Sequence, residues 1–367
     1  MSNAVYGCAL LVAMCAPTIA PAQAISDDSL ASSTRRMLAI RAAADSFSGA
    51  IIIARNGKPL LRDAYGFADR DRSAPNRPDT KFNLGSIDKL ITRIALWQLV
   101  ADGKLSLDEP IGRYLPDYPN RDVRERVTAR QLVAMSSGVG NFYNDAYLER
   151  HAAIRTVDDY LALFAADPLQ FEPGTSRAYS NGGYIVLGKL IETLTGQSYY
   201  DYVQNKVTGP AGMVDTRHYL IDERVQNLAI GYTAQSPSVP NAGSNPNRAR
   251  RPNTWSLAGR GSPAGGGYST VDDFLKLDGA IRNGHLLPAA FVDSLLPSGF
   301  RTGDAPIRYG GGGPGTNAEY VAFADGYTII VFSNYDPSGA TQVVQEIVRL
   351  LGKSIPGGPT LRMRPPG

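Results

Sequence analysis

Lys81-Phe82-Asn83-Leu84-Gly85-Ser86-Ile87-Asp88-Lys89-Leu90-Ile91-Thr92-Arg93 is the stretch on which the reading of this chain turns. Gly85 marks a turn, and behind it Ile87, Leu90, Ile91 and Ile94 recur at helical spacing. The pattern continues through Leu96-Trp97-Gln98-Leu99-Val100 and meets a stop signal at Gly103. Ser86 is thereby expected in the first turn of a helix, with Lys89 three residues on and on the same face. A serine hydroxyl becomes a nucleophile when a neighbour takes its proton, and a nearby lysine of lowered pKa can do so. The helix start adds partial positive charge and a backbone N–H where an oxyanion would develop. The same two residues also read as an N-cap serine and a solvated lysine, so the pattern gains weight only from its partners further along.

Working outward, the N-terminal side predicts a polar lead and a helix over residues 25–46, with Met37, Leu38, Ile40 and Ala44 on one side. A β-rich run from Phe47 to Arg55, the turn pair Asn56-Gly57 and a return from Lys58 to Gly66 predict an antiparallel hairpin. On the C-terminal side, residues 104–232 read as a mainly helical lobe. Within it, helices are expected before Ser136 with Thr128 as cap, over Val157 to Ala166 with Thr156 as cap, and from Ile185 to Gly196. Tyr179 and Asn181 lie two apart just before that last helix, so in extended chain they point the same way. Residues 233–256, rich in Pro, Asn and Ser, predict an exposed loop. A helix from Val271 to Ile281, strands around Ile307–Gly313, Glu319–Phe323 and Tyr327–Asn334, and a final helix from Ala340 to Leu351 follow. The fold class is therefore α+β: an antiparallel sheet flanked by N- and C-terminal helices, with a helical lobe beside it. The mixed α/β part is expected over 25–103 and 257–353, and a flexible tail over 354–367.

Composition sets the outer bounds. With 367 residues, 43% hydrophobic and 19% charged, the chain suits one large or two intimately packed domains of an ordinary globular enzyme. The net charge of +3 is dispersed, and the one basic cluster, Arg248-Ala249-Arg250-Arg251, has no interleaved aromatics, which argues against a nucleic-acid partner. Residues 1–24 hold an apolar run from Val5 to Ala16, then Pro17, and end in Ala22-Gln23-Ala24, which reads as a secretory signal peptide without the usual basic n-region, since the segment has no Lys, Arg, Asp or Glu. An uncleaved N-terminal anchor is the alternative, and after cleavage no stable membrane insertion is expected. A secreted or periplasmic location follows. Both cysteines, Cys8 and Cys15, fall in that segment, and three histidines without metal-ligand spacing give no metal site.

Three pieces then stand together: Ser86-Ile87-Asp88-Lys89, Tyr179-Ser180-Asn181, and a Gly-rich strand near residue 310. Phe82-Asn83-Leu84-Gly85-Ser86, Gln131 to Gly138, Phe171-Glu172-Pro173-Gly174 and Pro263 to Phe274 accompany them in order. Over roughly residues 30–350 the sequence resembles the serine β-lactamase-like, penicillin-binding-protein family. The branch is that of class C β-lactamases, D-alanyl-D-alanine carboxypeptidases and family VIII carboxylesterases.

The resemblance implies Ser86 as the acylated nucleophile and Lys89 with Tyr179 sharing its proton. Tyr179 would be the general base, its phenol made more acidic by the lysine ammonium. Asn181 would hold Lys89 or a substrate carbonyl. The third motif departs from the family's usual Lys-Thr-Gly or His-Gly-Gly. Aligned on Pro314-Gly315 it reads Tyr309-Gly310-Gly311, with Gly312 as the second oxyanion donor. Tyr309 brings no charge for a substrate carboxylate, a place that Arg308 or Arg260 could fill. These features imply a secreted serine hydrolase of small esters or amides, with neither metal nor organic cofactor. A D-amino-acid peptidase or weak β-lactamase, and a non-catalytic member binding cell-wall peptide or a partner, stand as alternatives. No Gly-x-Ser-x-Gly occurs, which disfavours an α/β-hydrolase.

Overall fold

The computed structural model describes residues 25–236, 248–292 and 306–355. The expected signal segment, the middle of the 233–256 loop and all of the expected tail except Ser354 and Ile355 lie outside the described residues. The chain opens with α1 (Asp27–Ala43), β1 (Gly49–Arg55) and β2 (Lys58–Tyr65), then three short strands, β3 (Phe67–Asp69), β4 (Ala74–Pro75) and β5 (Phe82–Asn83). A 3₁₀ turn, Gly85–Asp88, runs directly into α2 (Lys89–Ala101). Next come α3 (Arg121–Arg126), α4 (Ala129–Val133), α5 (Asp145–Arg150), α6 (Val157–Leu161), α7 (Asn181–Thr195) and α8 (Tyr199–Val203). The chain then gives β6 (Tyr232–Thr233), β7 (Arg251–Pro252), β8 (Tyr268–Ser269), α9 (Val271–Arg282) and α10 (Ala289–Val292). It closes with β9 (Ile307–Gly313), β10 (Thr316–Ala322), β11 (Tyr327–Ser333) and α11 (Gly339–Leu350).

The mixed α and β class is as expected: the centre is a five-stranded antiparallel sheet in the order β2-β1-β11-β10-β9. Both its faces are covered, which is why β1 and β11 read as continuous apolar runs rather than alternating ones. Ile51, Ile53, Ile329 and Val331 pack under α1 and α11. Ala50, Ile52, Ile330 and Phe332 face the other way, into the large core that contains α2. Each such side chain contributes about 1.5–3 kcal/mol by leaving water. Asn56 and Gly57 both take positive φ, 52° and 74°, as the tight β1–β2 turn requires.

Several expectations need correction. Ile40, expected on the inner side of the first helix, is 65% exposed; Leu30, Ala31, Thr34 and Leu38 form the buried face instead. The helix expected over 157–166 ends at Leu161, and turns carry the chain on through Ala166 with Leu163, Phe164 and Ala165 buried. Thr128 and Thr156 do cap their helices, each in a reciprocal box, with Gln131 and Asp159. Residues 233–256 are not an exposed loop throughout: Thr233, Ala234, Gln235 and Asn253 are buried, and β6 pairs with β7. Asp336 ties this corner down by accepting the Ala234 amide at 2.7 Å.

Candidate active site

The 3₁₀ turn delivers Ser86 and α2 delivers Lys89 beneath it. α2 is buried on nearly all sides, from Lys89 through Trp97, so its first turn is held in the middle of the core. Ser86 and Tyr179 stay partly exposed, whereas Lys89 and Asn181 are buried. The site therefore has a reactive mouth and a dry floor.

Tyr179 comes from a segment that Asn141 grips on both sides. Its Nδ2 donates to the Tyr179 carbonyl at 3.1 Å, and its Oδ1 accepts the Asn181 amide at 2.8 Å. Ser180 caps α7 by accepting the Gly183 amide at 2.8 Å. Asn181 is thus the first helical residue of α7 rather than part of an extended strand, as the Tyr-x-Asn spacing had suggested. The two side chains still converge. Ser86 Oγ lies 2.5 Å from Tyr179 Oη, Lys89 Nζ lies 3.2 Å from Ser86 Oγ, and Lys89 Nζ donates to Asn181 Oδ1 at 2.8 Å. Lys89 Nζ also donates to the Ala264 carbonyl.

Two of the three partners of Lys89, Asn181 Oδ1 and the Ala264 oxygen, can only accept. A neutral amine has two hydrogens and one lone pair, so these acceptors use both hydrogens and turn the lone pair towards Ser86. Burial favours that neutral form: it pulls the Lys89 pKa from 10.5 down to about 7, against the opposing pull of the Asp88 carboxylate. Tyr179 moves the other way. Burial pushes its phenol up to about 12, more than the bond to Ser86 lowers it. Tyr179 was expected to be acidified by the lysine; its phenol instead moves up, because desolvation is the largest influence on it. The group poised near neutral pH is the lysine.

The Gly-rich strand β9 is the open edge of the sheet and packs on the Ser86 turn. Counting from the two-residue Pro314-Gly315 turn, the bonded pairs with β10 are Gly313/Thr316, Gly311/Ala318 and Tyr309/Tyr320. The alternation turns the Gly310 and Gly312 amides to the open edge. A Cβ on Gly311 would fall on the Leu84 carbonyl and 2.9 Å from Ser86 N, and one on Gly85 would lie 2.9 Å from Gly312 N. The Ser86 amide, at the start of a 3₁₀ turn, has no partner within that turn. Tyr309 is buried beside Arg93 and Tyr184, and burial pushes its phenol well up. Neither arginine considered as a replacement cation serves the site: Arg308 pairs with Glu319 at 3.3 Å, and Arg260 Nε donates to the His218 carbonyl while its guanidinium stacks on Tyr200. At the rim Tyr143 is 47% exposed and packs on Phe142 and Tyr147, giving an aromatic wall near Tyr179.

Sequence reasoning singled out Ser86, Lys89, Tyr179 and Asn181, and these converge. It gave no role to the Ala264 carbonyl, although Pro263 to Phe274 stood out as a matching stretch. Nor did it assign one to Asn141 or to the Asp88–His218 contact, 3.0 Å between His218 Nε2 and Asp88 Oδ2. Asp88 was visible inside the Ser-x-x-Lys stretch; nothing local marks His218 as its neighbour.

The family model described as Beta-lactamase matches residues 35–351. The penicillin-binding protein homologue PbpX of Bacillus subtilis (strain 168) is 29% identical over 317 residues, 84% of this chain and 76% of its own. A penicillin binding protein from Bacillus halodurans superposes with a TM-score of 0.75 at 28% identity, covering 85% of this chain and 98% of that one. The D-amino acid amidase of Ochrobactrum anthropi SV3, at 21% identity and a TM-score of 0.70 over 88% of this chain and 99% of that one, shares the fold.

Proposed function

This chain belongs to the beta-lactamase family, and from that premise we propose that it is a serine hydrolase that acylates Ser86 and hydrolyses small esters or amides outside the cytoplasm. The observation that carries the reading is Ser86 Oγ within reach of both Tyr179 Oη and Lys89 Nζ, with Lys89 brought down to about 7. Neutral Lys89 takes the hydroxyl proton as Ser86 Oγ bonds to the substrate carbonyl carbon. The Ser86 and Gly312 amides take the developing oxyanion. As the tetrahedral adduct collapses, the alcohol or amine departs with a proton passed back through the neutral Tyr179 phenol. Water then attacks the acyl carbon, releases the acid and restores Ser86. Tyr309, a neutral side chain where the family's usual motif has Lys or His, and the aromatic rim at Tyr143 support a preference for neutral, apolar acyl groups over acidic peptide ends. The apolar run from Val5 to Ala16 with Ala22-Gln23-Ala24 behind it supports export.

The test is incubation of the mature protein with a p-nitrophenyl short-chain ester and with a chromogenic cephalosporin, followed by intact mass of the quenched protein. Ester turnover in excess, with an acyl increment on Ser86, is the expected result, and the same spectrum reads the mature N-terminus. A cephalosporin turned over faster would reverse the substrate order, and neither adduct nor turnover would favour a binding protein.

Two further outcomes are expected. Because the base form of Lys89 is the neutral one, kcat/KM should be lost as pH falls through about 7; a profile flat to pH 5 would remove Lys89 as base. Gly311→Ala should displace the strand from the Ser86 amide and lower kcat on the ester by roughly 100-fold. Gly313→Ala, with nothing within 4 Å of its Cβ, should leave kcat near the wild-type value. Equal rates in the two variants would exclude β9 from oxyanion binding.

A further inference from the structure

A buried carboxylate stands directly behind the reacting atoms. Asp88 is fully buried between Ser86 and Lys89 in the 3₁₀ turn, and its Oδ2 accepts the Gly267 amide at 2.6 Å. The Leu84 amide holds the other side of Gly267, donating to its carbonyl at 2.8 Å. Thr92 Oγ1 donates to the Pro263 carbonyl at 2.7 Å, and Lys89 to that of Ala264. The 263–267 loop is thus fastened to the 3₁₀ turn and the start of α2 at four points, Leu84, Asp88, Lys89 and Thr92. A Cβ on Gly267 would lie 2.5 Å from Asp88 Oδ2, so the fit leaves no slack.

His218 lies against the carboxylate, its Nε2 3.0 Å from Asp88 Oδ2 but outside hydrogen-bonding geometry. Its ring is enclosed between Tyr199 and Tyr200, with centroids 5.6 and 5.4 Å away, and Tyr199 is itself bonded to Thr92. A cavity of about 60 Å³ opens beside the pair, and Arg217, Arg260 and Asp201 line it. The groups facing Asp88 are therefore Lys89 on its own element, His218, Tyr199 and Tyr200 packed on it, and those three charges across the cavity.

We propose that Asp88, packed against His218, is a positioning residue of this site: its carboxylate is the fixed counter-charge to Lys89 and the clamp that brings the Ala264 carbonyl to Lys89 Nζ. The inference rests on the acyl-enzyme reading above. Opposite charges in a dry interior favour the ionised lysine, so Asp88 limits how far burial drives Lys89 towards its neutral form.

Asp88→Asn keeps an acceptor for Gly267 and removes the charge. The acid limb of kcat/KM should move to lower pH by about one unit or more. Asp88→Ala loses the clamp as well and should lower kcat further, and His218→Gln should lower kcat with its acid limb in place. An acid limb unmoved in an active Asp88→Asn enzyme, or a wild-type kcat in His218→Gln, would overturn the assignment.

Thermal stability provides a readout without turnover. The Asp88–Lys89 attraction exists only while Lys89 holds its proton, so the Tm of Asp88→Asn relative to wild type should be lower at pH 6 than at pH 9. That pH dependence should vanish in a Lys89→Met background. Its persistence there would make His218 the electrostatic partner and overturn the proposal. Absence of wild-type turnover would sink the acyl-enzyme reading alone, while the thermal cycle would still decide whether Asp88 is the counter-charge.

Discussion

Ser86→Ala is expected to lower kcat/KM on an aryl ester by roughly 10⁴-fold or more and to remove the acyl mass increment altogether. The variant deletes only the oxygen that would bond to the acyl carbon. Alanine suits the 3₁₀ turn as well as serine does, and the site is partly exposed, so the Tyr179 hydroxyl left behind can turn to water. Tm should accordingly stay close to wild type, which separates lost chemistry from lost fold. The oxyanion donors are backbone amides and survive, so a small residual rate is consistent with the mechanism. An adduct that persists in Ser86→Ala at wild-type stoichiometry would place the nucleophile elsewhere.

Lys89→Met should be almost as damaging to turnover, since nucleophile and base act as one unit and their losses do not add. Methionine fills a similar volume, and near-normal turnover in this variant would refute the proton-transfer role. Its stability carries a second, independent signature. The folded pKa of Lys89, about 7, lies below its ordinary 10.5, so between those values the unfolded chain holds more protons than the folded one. The cost of burying the charge is fully present below about pH 7 and fades as pH rises towards 10.5. The change in Tm on Lys89→Met should therefore be more favourable at pH 6 than at pH 9. The acceptors it orphans, Asn181 Oδ1 and the Ala264 carbonyl, add a penalty of about 1–3 kcal/mol each that is the same at both pH values. A change in Tm independent of pH would mean that Lys89 is not desolvated.

The two variants together also explain why the site is built on α2. A lysine whose pKa is brought down to about 7 needs a dry surround, and α2 is enclosed by core on nearly every side. A serine at the mouth needs access, and the 3₁₀ turn at the start of the helix lifts Ser86 out of that core. The one short step from Ser86 to Lys89 crosses from solvent to interior.

Much of this was legible in the chain. The β1–β2 hairpin is written in Asn56-Gly57, whose positive φ values only such residues adopt readily, and α2 in the spacing of Ile87, Leu90, Ile91 and Ile94. The Ser-x-x-Lys spacing alone sets Ser86 and Lys89 on one side of a helix start. Local pattern also named Tyr179 and Asn181, though not that Asn181 begins α7.

What the sequence determined by itself was whatever depends on neighbours along the chain: the turns, the helix faces, the caps and the candidates Ser86, Lys89, Tyr179 and Asn181 for the site. Only the tertiary structure separates Lys89 from Tyr179 as candidates for the base in the proposed mechanism. Lys89 falls and Tyr179 rises because both are desolvated, and desolvation is set by what packs around a group from distant segments. The same holds for Asp88 and His218, for the Ala264 carbonyl, and for Tyr309, which lies against Arg93 in the interior. Burial and charge act through space, and the order of residues along a chain does not record them.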